Sequence, residues 1–343
     1  MKNKKINFFY LFLFLSFFLL TVSSPKMVLA AEKNEFYVDT YLPDNQRVET
    51  STYLDLLVKP DQTQELTIKV INDTSKKINY GVEVVNGITN PSMTVDYNSD
   101  PKKIDSSLKQ PLTELITVEK NHSIEPRDSQ NITLTLKTPK DTFEGIILGG
   151  IRVYEKSGDD ESKEITQTIT NYLSYIVPIK LRVDNVEELP YKTKYKETKV
   201  ADMGEKIGIN GTFQNPVPTI TRDLTFTRTI TEKGNDKVLV KDVQKNLEIA
   251  PTSSFTTSLN VEKEKLKPGD YTIIYQLENS EKKYKEKWED TFTIKKKDIK
   301  TSQPTIINVA KKSNYLMILL VVIILLLVSY IIYINKKRGR DIK

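Results

Sequence analysis

Cysteine is absent from this 343-residue chain, and histidine occurs once, at His122. The first absence removes disulfides, thiolate nucleophiles and cysteine-ligated metals. The second removes multi-histidine zinc sites and leaves a Ser-His-Asp triad with a single candidate base. An excess of one charge is also missing from the body of the chain, although the whole carries a formal +6. Residues 1–30 hold four lysines and no acid, and residues 315–343 hold five basic residues against Asp341, so each end is net +4. The remaining 31–314 carry 42 basic and 44 acidic residues, net −2. The basic footprint of a nucleic-acid binder is therefore absent, and no nucleic-acid partner is expected.

The two ends read as membrane segments. Met1-Lys-Asn-Lys-Lys5 precedes an apolar run from Ile6 to Val22, and small residues surround Ala30. Basic head, apolar centre and small residues at the cut describe a signal peptide over 1–30, cleaved after Ala30. Residues 315–334 are 20 positions without a charge. At 1.5 Å per residue they measure about 30 Å, the thickness of a hydrocarbon core. Tyr315, Tyr330 and Tyr333 sit towards the ends, and the basic tail 335–343 follows, which the positive-inside rule keeps in the cytoplasm. No LPxTG-like sorting motif precedes the span, so the helix reads as a permanent single-pass anchor. The expected location is the cell membrane of a Gram-positive bacterium, with the body outside in the wall zone and 298–314 as a polar stalk.

Between the ends the periodicity is that of strands. Leu66-Thr-Ile68-Lys-Val70, Val82-Glu-Val84 and Ile132-Thr-Leu134-Thr-Leu136 alternate apolar and polar residues. Turn residues flank them at Asn72-Asp73, Asn86-Gly87, Pro126-Arg-Asp128 and Thr138-Pro139. The reading is all-β, with two consecutive Ig-like sandwiches over 31–165 and 166–297. A short helix fits the 103–115 connection. Asn215-Pro-Val-Pro218 reads as a loop, because two prolines do not fit a central ladder. Lys267-Pro-Gly-Asp270 reads as a turn into the penultimate strand of the second sandwich. Charge divides with the domains: 31–170 is net −8 and 171–314 net +6.

Gly145-Ile-Ile-Leu-Gly149-Gly150 is unusual for a strand. It predicts either a buried strand with a bulge or a surface where a ligand or backbone comes close.

Several stretches resemble the WxL-interacting proteins of Gram-positive bacteria. They are Pro43-Asp-Asn45-Gln46, Tyr53-Leu-Asp55-Leu-Leu-Val-Lys-Pro60, Thr89-Asn90-Pro with Val95-Asp96-Tyr97, and Phe143-Glu-Gly145 through Gly149-Gly150-Ile151. The layout resembles that family too, with signal peptide, two β domains, one span and a basic tail. The resemblance implies a first domain that binds peptidoglycan and a second that binds a secreted WxL-domain protein. This chain has no WxL motif of its own, since its one tryptophan, Trp288, stands in Lys-Trp-Glu.

A glycan site needs amides and hydroxyls for sugar hydroxyls and N-acetyl groups, and aromatic faces for rings. Asn45, Gln46, Asn90 and Tyr97 supply those types in the family-like motifs. Each has a structural alternative: Asn45 and Gln46 as a turn capping its own backbone, Asn90 as a turn residue, Tyr97 as half-buried sandwich surface. Pro43, Gly145, Gly149 and Gly150 read as structural motif positions. His122 reads as a surface-loop residue. No catalytic residue, metal or cofactor is expected, and the chain reads as a cell-surface scaffold and not an enzyme. The alternatives are an adhesin that binds a host matrix protein and, behind it, a cell-wall hydrolase.

Overall fold

The computed structural model describes residues 36–47, 52–97, 104–156, 173–183, 189–299 and 315–338. The signal-peptide segment and residues 300–314 of the stalk lie outside them. The chain divides into two compact units after Lys300.

The first unit is built from strands. In chain order they begin with β1 (Phe36–Thr40), β2 (Leu54–Leu57), β3 (Thr63–Asn72), β4 (Ile78–Asn86), β5 (Ile88–Thr89) and β6 (Val95–Asp96). After the one-turn helix α1 (Leu112–Leu115) come β7 (Ile116–Thr117), β8 (Asn121–Ile124), β9 (Asp128–Lys137), β10 (Ile147–Glu155) and β11 (Ser174–Arg182). A four-stranded sheet in the order β1-β3-β9-β7 faces a five-stranded sheet in the order β2-β11-β10-β4-β8, and β5-β6 is a separate hairpin. Alternation explains the sandwich. Leu66, Ile68 and Val70 of β3 point inward, in register with Leu134, Ile132 and Gln130 of β9. They meet Val82, Ile151, Val153, Val177 and Ile179 of the other sheet in one core. Each such side chain contributes about 1.5–3 kcal/mol by leaving water.

Two sequence expectations change here. The strand containing Gly149 and Gly150 is buried but carries no bulge, because its register runs unbroken against both β11 and β4. Close approach accounts for the glycines. A Cβ on Gly149 would meet the Val85 carbonyl and Leu112 of α1, and one on Gly150 would meet the Val177 carbonyl and Ile176. His122 lies in strand β8 and not in a loop; its ring stacks on Tyr80 with centroids 5.2 Å apart. β11 is hydrogen-bonded to β10 and β2, so Ser174–Arg182 belongs to the five-stranded sheet.

The second sandwich runs through β12 (Lys194–Met203), β13 (Lys206–Asn215), β14 (Thr221–Glu232), β15 (Val238–Ile249), β16 (Ser253–Glu262), β17 (Gly269–Asn279) and β18 (Tyr284–Ile294), followed by the short helix α2 (Lys296–Ile299). Its sheets are β12-β13-β16 and β15-β14-β17-β18. Compared with the constant-type immunoglobulin arrangement, the fourth strand has moved to the other sheet. The core is aromatic: Phe213 packs edge-on to Phe226 and Tyr275 and stacks on Phe255. Tyr271 donates its hydroxyl to the Lys267 carbonyl at 2.7 Å, four residues back. That is the tyrosine corner of Ig-type sandwiches, and it fixes the Lys267–Asp270 turn. Asn215-Pro-Val-Pro218 is a loop, as expected, with Asn215 fully buried and donating to the Thr219 and Ala250 carbonyls.

The second unit is the helix α3 (Tyr315–Arg338). Of its described side chains, 323–333 are exposed, among them Leu325, Leu326 and Ile332, and Ile334 is half-buried. Among the described residues no helix is long and apolar enough to cross a membrane. The side chains described in α3 span only about 18 Å of helix.

Candidate functional site

The first family-like motif turns inward. After Pro43, whose carbonyl accepts from the Gln46 N–H at 2.9 Å, Asn45 donates Nδ2 to the Leu57 carbonyl (2.9 Å) and to Gln64 Oε1 (3.0 Å). Gln64 returns a bond to Asn45 Oδ1 at 2.8 Å. Gln46 donates to the Tyr53 carbonyl (2.9 Å) and accepts from the Asp55 N–H (3.1 Å), so its amide stands in for a missing strand partner. Both amides are engaged within the first sandwich, Gln46 with the backbone and Asn45 with one carbonyl and the Gln64 side chain. Asp55, 3% exposed, takes Arg182 Nε at 2.8 Å and lies 3.7 Å from Arg47. This buried pair holds β2 against β11, the parallel contact of the sheet. Its main consequence is that loss of one partner leaves a buried charge.

The other family-like residues converge on the junction between the sandwiches. Asn90 closes the β5–β6 turn: Oδ1 accepts from the N–H groups of Ser92 (3.0 Å) and Thr94 (3.2 Å), and Nδ2 donates to Thr94 Oγ1 (2.7 Å). The turn holds Met93 at φ 57° and delivers its side chain, 1% exposed, into the core of the second sandwich. There the Glu248 N–H donates to the Met93 carbonyl at 2.8 Å. Thr89 bonds the Ser253 hydroxyl (2.8 Å) and accepts from the Ala250 N–H (2.9 Å). Tyr97 packs half-buried against a cluster of Leu148, Ile220 and Ala250 that belongs to both domains. Burial, then the Glu248 carboxylate, push its hydroxyl pKa up to about 12.

Gly145 closes the same joint. Its φ is +68°, and a Cβ there would collide with the Pro218 carbonyl, which accepts from the Ile146 N–H at 2.7 Å. Asp105, with a side chain 7% exposed, accepts from Gln214 (2.7 Å) and Ser254 of the second sandwich and lies 3.7 Å from Lys196. Burial alone would raise its pKa; hydrogen bonds from Ser107, Ser254 and Gln214 outweigh it and hold the carboxyl at about 2. Met93, Asp105 and Pro218 carry no sequence signal for this role. The motif residues around them were visible, but what they meet lies far off in the chain, as Pro218 does from Gly145 and Ser253 from Thr89.

Beside the joint lies a cleft of about 360 Å³, lined by Lys109, Gln110, Phe143, Glu144, Pro216 and Pro218 among others. It offers an aromatic side chain, an amide and one charge of each sign. Among the described residues no group of three or more Asp, Glu or His residues is placed to hold a metal.

Comparison with known proteins agrees with this two-part organisation. "WxL Interacting Protein, peptidoglycan binding domain" matches residues 36–155, and "WxL Interacting Protein, host binding domain" matches residues 164–303. A search of curated proteins finds no match. Among solved structures, the E. coli chaperone DraB is similar at 13% identity and TM-score 0.29, covering 76% of this chain and 98% of its own. The Pseudomonas aeruginosa CupB2 chaperone is similar at 12% identity and TM-score 0.27, covering 68% and 95%. The CsuC–CsuE complex of Acinetobacter baumannii gives 8% identity and TM-score 0.31, covering 74% and 97%. Likenesses this distant carry no argument about function. The family matches do, and the chain belongs to the WxL-interacting protein family, with a peptidoglycan-binding domain followed by a host-binding domain.

Proposed function

We propose that this protein is a non-enzymatic scaffold of the Gram-positive cell surface. It is held in the membrane by α3, touches peptidoglycan through the first sandwich, and holds a secreted WxL-domain protein through the second. The observation that carries the reading is the pair of family matches, one on each sandwich. What supports the anchor is the sequence of 315–334, 20 residues without a charge, which at 1.5 Å each reach about 30 Å as a helix. The cleft beside Phe143 is the glycan contact in this reading, because it combines an aromatic side chain with the polar side chains of Lys109, Gln110 and Glu144, whereas the amides of Asn45 and Gln46 are already hydrogen-bonded. Two linked binding sites raise the local concentration of weak wall contacts.

Cosedimentation of the full chain with insoluble peptidoglycan tests the first contact, and capture of a WxL-domain protein secreted by the same organism tests the second. Chain that stays in the supernatant at micromolar concentration refutes the first. Capture of a host matrix protein and no WxL-domain protein refutes the second, in favour of an adhesin. Zymography on cell walls checks the non-enzymatic assignment, and a zone of lysis overturns it. Fractionation of the full chain into the soluble pool overturns the anchor.

A further inference from the structure

The second sandwich has four strand edges, and three of them are guarded. β12 carries Lys194, Lys196 and Lys199 and a register shift at Tyr195/Glu197. β15 carries Lys241, Asp242 and Lys245 and three register shifts against β14. β18 alternates Lys285, Lys287 and Glu289 on one face. Charges and bulges of this kind stop another chain from pairing with an edge. β16 has neither: its ten residues, SSFTTSLNVE, contain no Lys, Arg, Pro or Gly and one charge at the far end, and they run without a shift against β13. Among the described residues no strand pairs with its outer side.

The surroundings of that edge are those of a channel for a chain. The seam between β12 and β18 is closed by Tyr195 bonding Asp290, and Thr198 of β12 bonds Tyr275 of β17 at 2.9 Å. The opposite seam, between β15 and β16, is open as a groove of about 620 Å³. Thr257, Ser258 and Asn260 line one wall, Gln244 and Lys245 the other, and Ser92 stands at one end. One piece of chain already enters here: the β5–β6 turn seats Met93 in the core and takes a main-chain bond from Glu248 of β15. The joint covers Ser253 and Ser254 through Thr89 and Asp105, and leaves the strand beyond them.

We propose that the free edge of β16, from Phe255 to Glu262, accepts an extended segment of a protein partner as an added strand. Such docking takes affinity from main-chain hydrogen bonds and specificity from alternate side chains. Eight residues of edge offer about 26 Å of ladder at 3.3 Å per residue. Lys245 across the groove selects a neutral or acidic segment over a basic one. The proposal rests on the partner-binding reading of the second domain and names where that partner sits.

The test uses the full chain and the secreted WxL-domain protein as probe. Ser258→Glu with Asn260→Glu puts charges on two groove-lining positions outside the buried core, of the sign that a neutral or acidic segment does not favour. The expected result is a Kd at least about tenfold weaker with an unchanged melting temperature. In the unsubstituted chain, bound probe is expected to slow amide hydrogen exchange across 255–262. Affinity within twofold in the folded double variant, or protection confined to other strands, overturns the edge assignment while leaving the partner reading intact. No binding by the unsubstituted chain overturns both. Dimerisation through this edge, with partner affinity unchanged in the variant, gives the edge to a second copy and overturns the proposed occupant.

Discussion

Met93→Ala separates a fused pair of domains from two beads on a string. Met93 belongs to the first sandwich by chain order, yet its side chain is 1% exposed inside the core of the second. Truncation removes the thioether chain and leaves a cavity, a change that costs about 2–5 kcal/mol in well-packed cores. The hairpin sits at the rim of that core, at the open seam, so neighbouring side chains can partly close the gap. The lower part of the range, about 2–3 kcal/mol, is the expected loss. The left-handed φ of 57° is borne equally by Met and Ala, so it cancels in the comparison. At about 2–4 °C per kcal/mol for a body of this size, the melting point of the coupled sandwiches falls by about 4–12 °C. Calorimetry gives the sharper readout. Unsubstituted protein should unfold in one transition across both sandwiches, and the variant should show two, with the second domain melting first. A variant within ~0.5 kcal/mol of the parent, still unfolding in one step, refutes the reasoning. Met93 would then contribute nothing to the joint.

Asp105→Asn should weaken the same joint and alter its response to acid. The native carboxyl is depressed to about 2, so its stabilisation is complete above the unfolded carboxylate range and lost as pH falls from about 4 through 2. After allowance for solvent screening this is worth about 1–2 kcal/mol; acid titrations of both forms should converge near pH 2, and parallel curves would contradict the assignment. Gly145→Ala should destabilise by about 1–3 kcal/mol, because the residue stands at φ +68° against the Pro218 carbonyl; an unchanged urea midpoint speaks against that contact. Asn45→Ala and Gln46→Ala should each cost about 0.5–1.5 kcal/mol of stability by removing hydrogen bonds to exposed and part-buried partners. Sedimentation with peptidoglycan should be unchanged for both at temperatures where they are folded, and lost binding in folded protein would return these amides to the ligand.

Much of this architecture was legible as pattern. The alternation in Leu66–Val70 and Ile132–Leu136 places strands with an inward face, because the side-chain period along a strand is 2 whatever the fold. The Lys267–Asp270 turn and the Asn215-Pro loop were legible for a similar reason: proline and glycine restrict or free the backbone locally. The short helix near 112 fell where the connection allowed it. The missing bulge in β10 was not legible, since glycine under close packing and glycine at a bulge look alike in one dimension.

The ends and absences of the chain are a matter of composition. Which segments are apolar throughout, where charge accumulates, and that no thiol exists follow from local chemistry, which needs no fold to act. The roles of Asn45, Gln46, Asn90 and Tyr97 do not follow in this way. An amide that caps a strand and an amide that reads a sugar have the same atoms; what differs is whether a carbonyl such as that of Leu57 already stands 2.9 Å away. The joint made by Met93, Thr89, Asp105 and Gly145 likewise depends on partners such as Pro218, Ser254 and Gln214, far off in the chain. Contacts of that separation form only when both sandwiches have condensed, and they make the Asn90 turn and the Tyr97 ring part of the fastening between two domains.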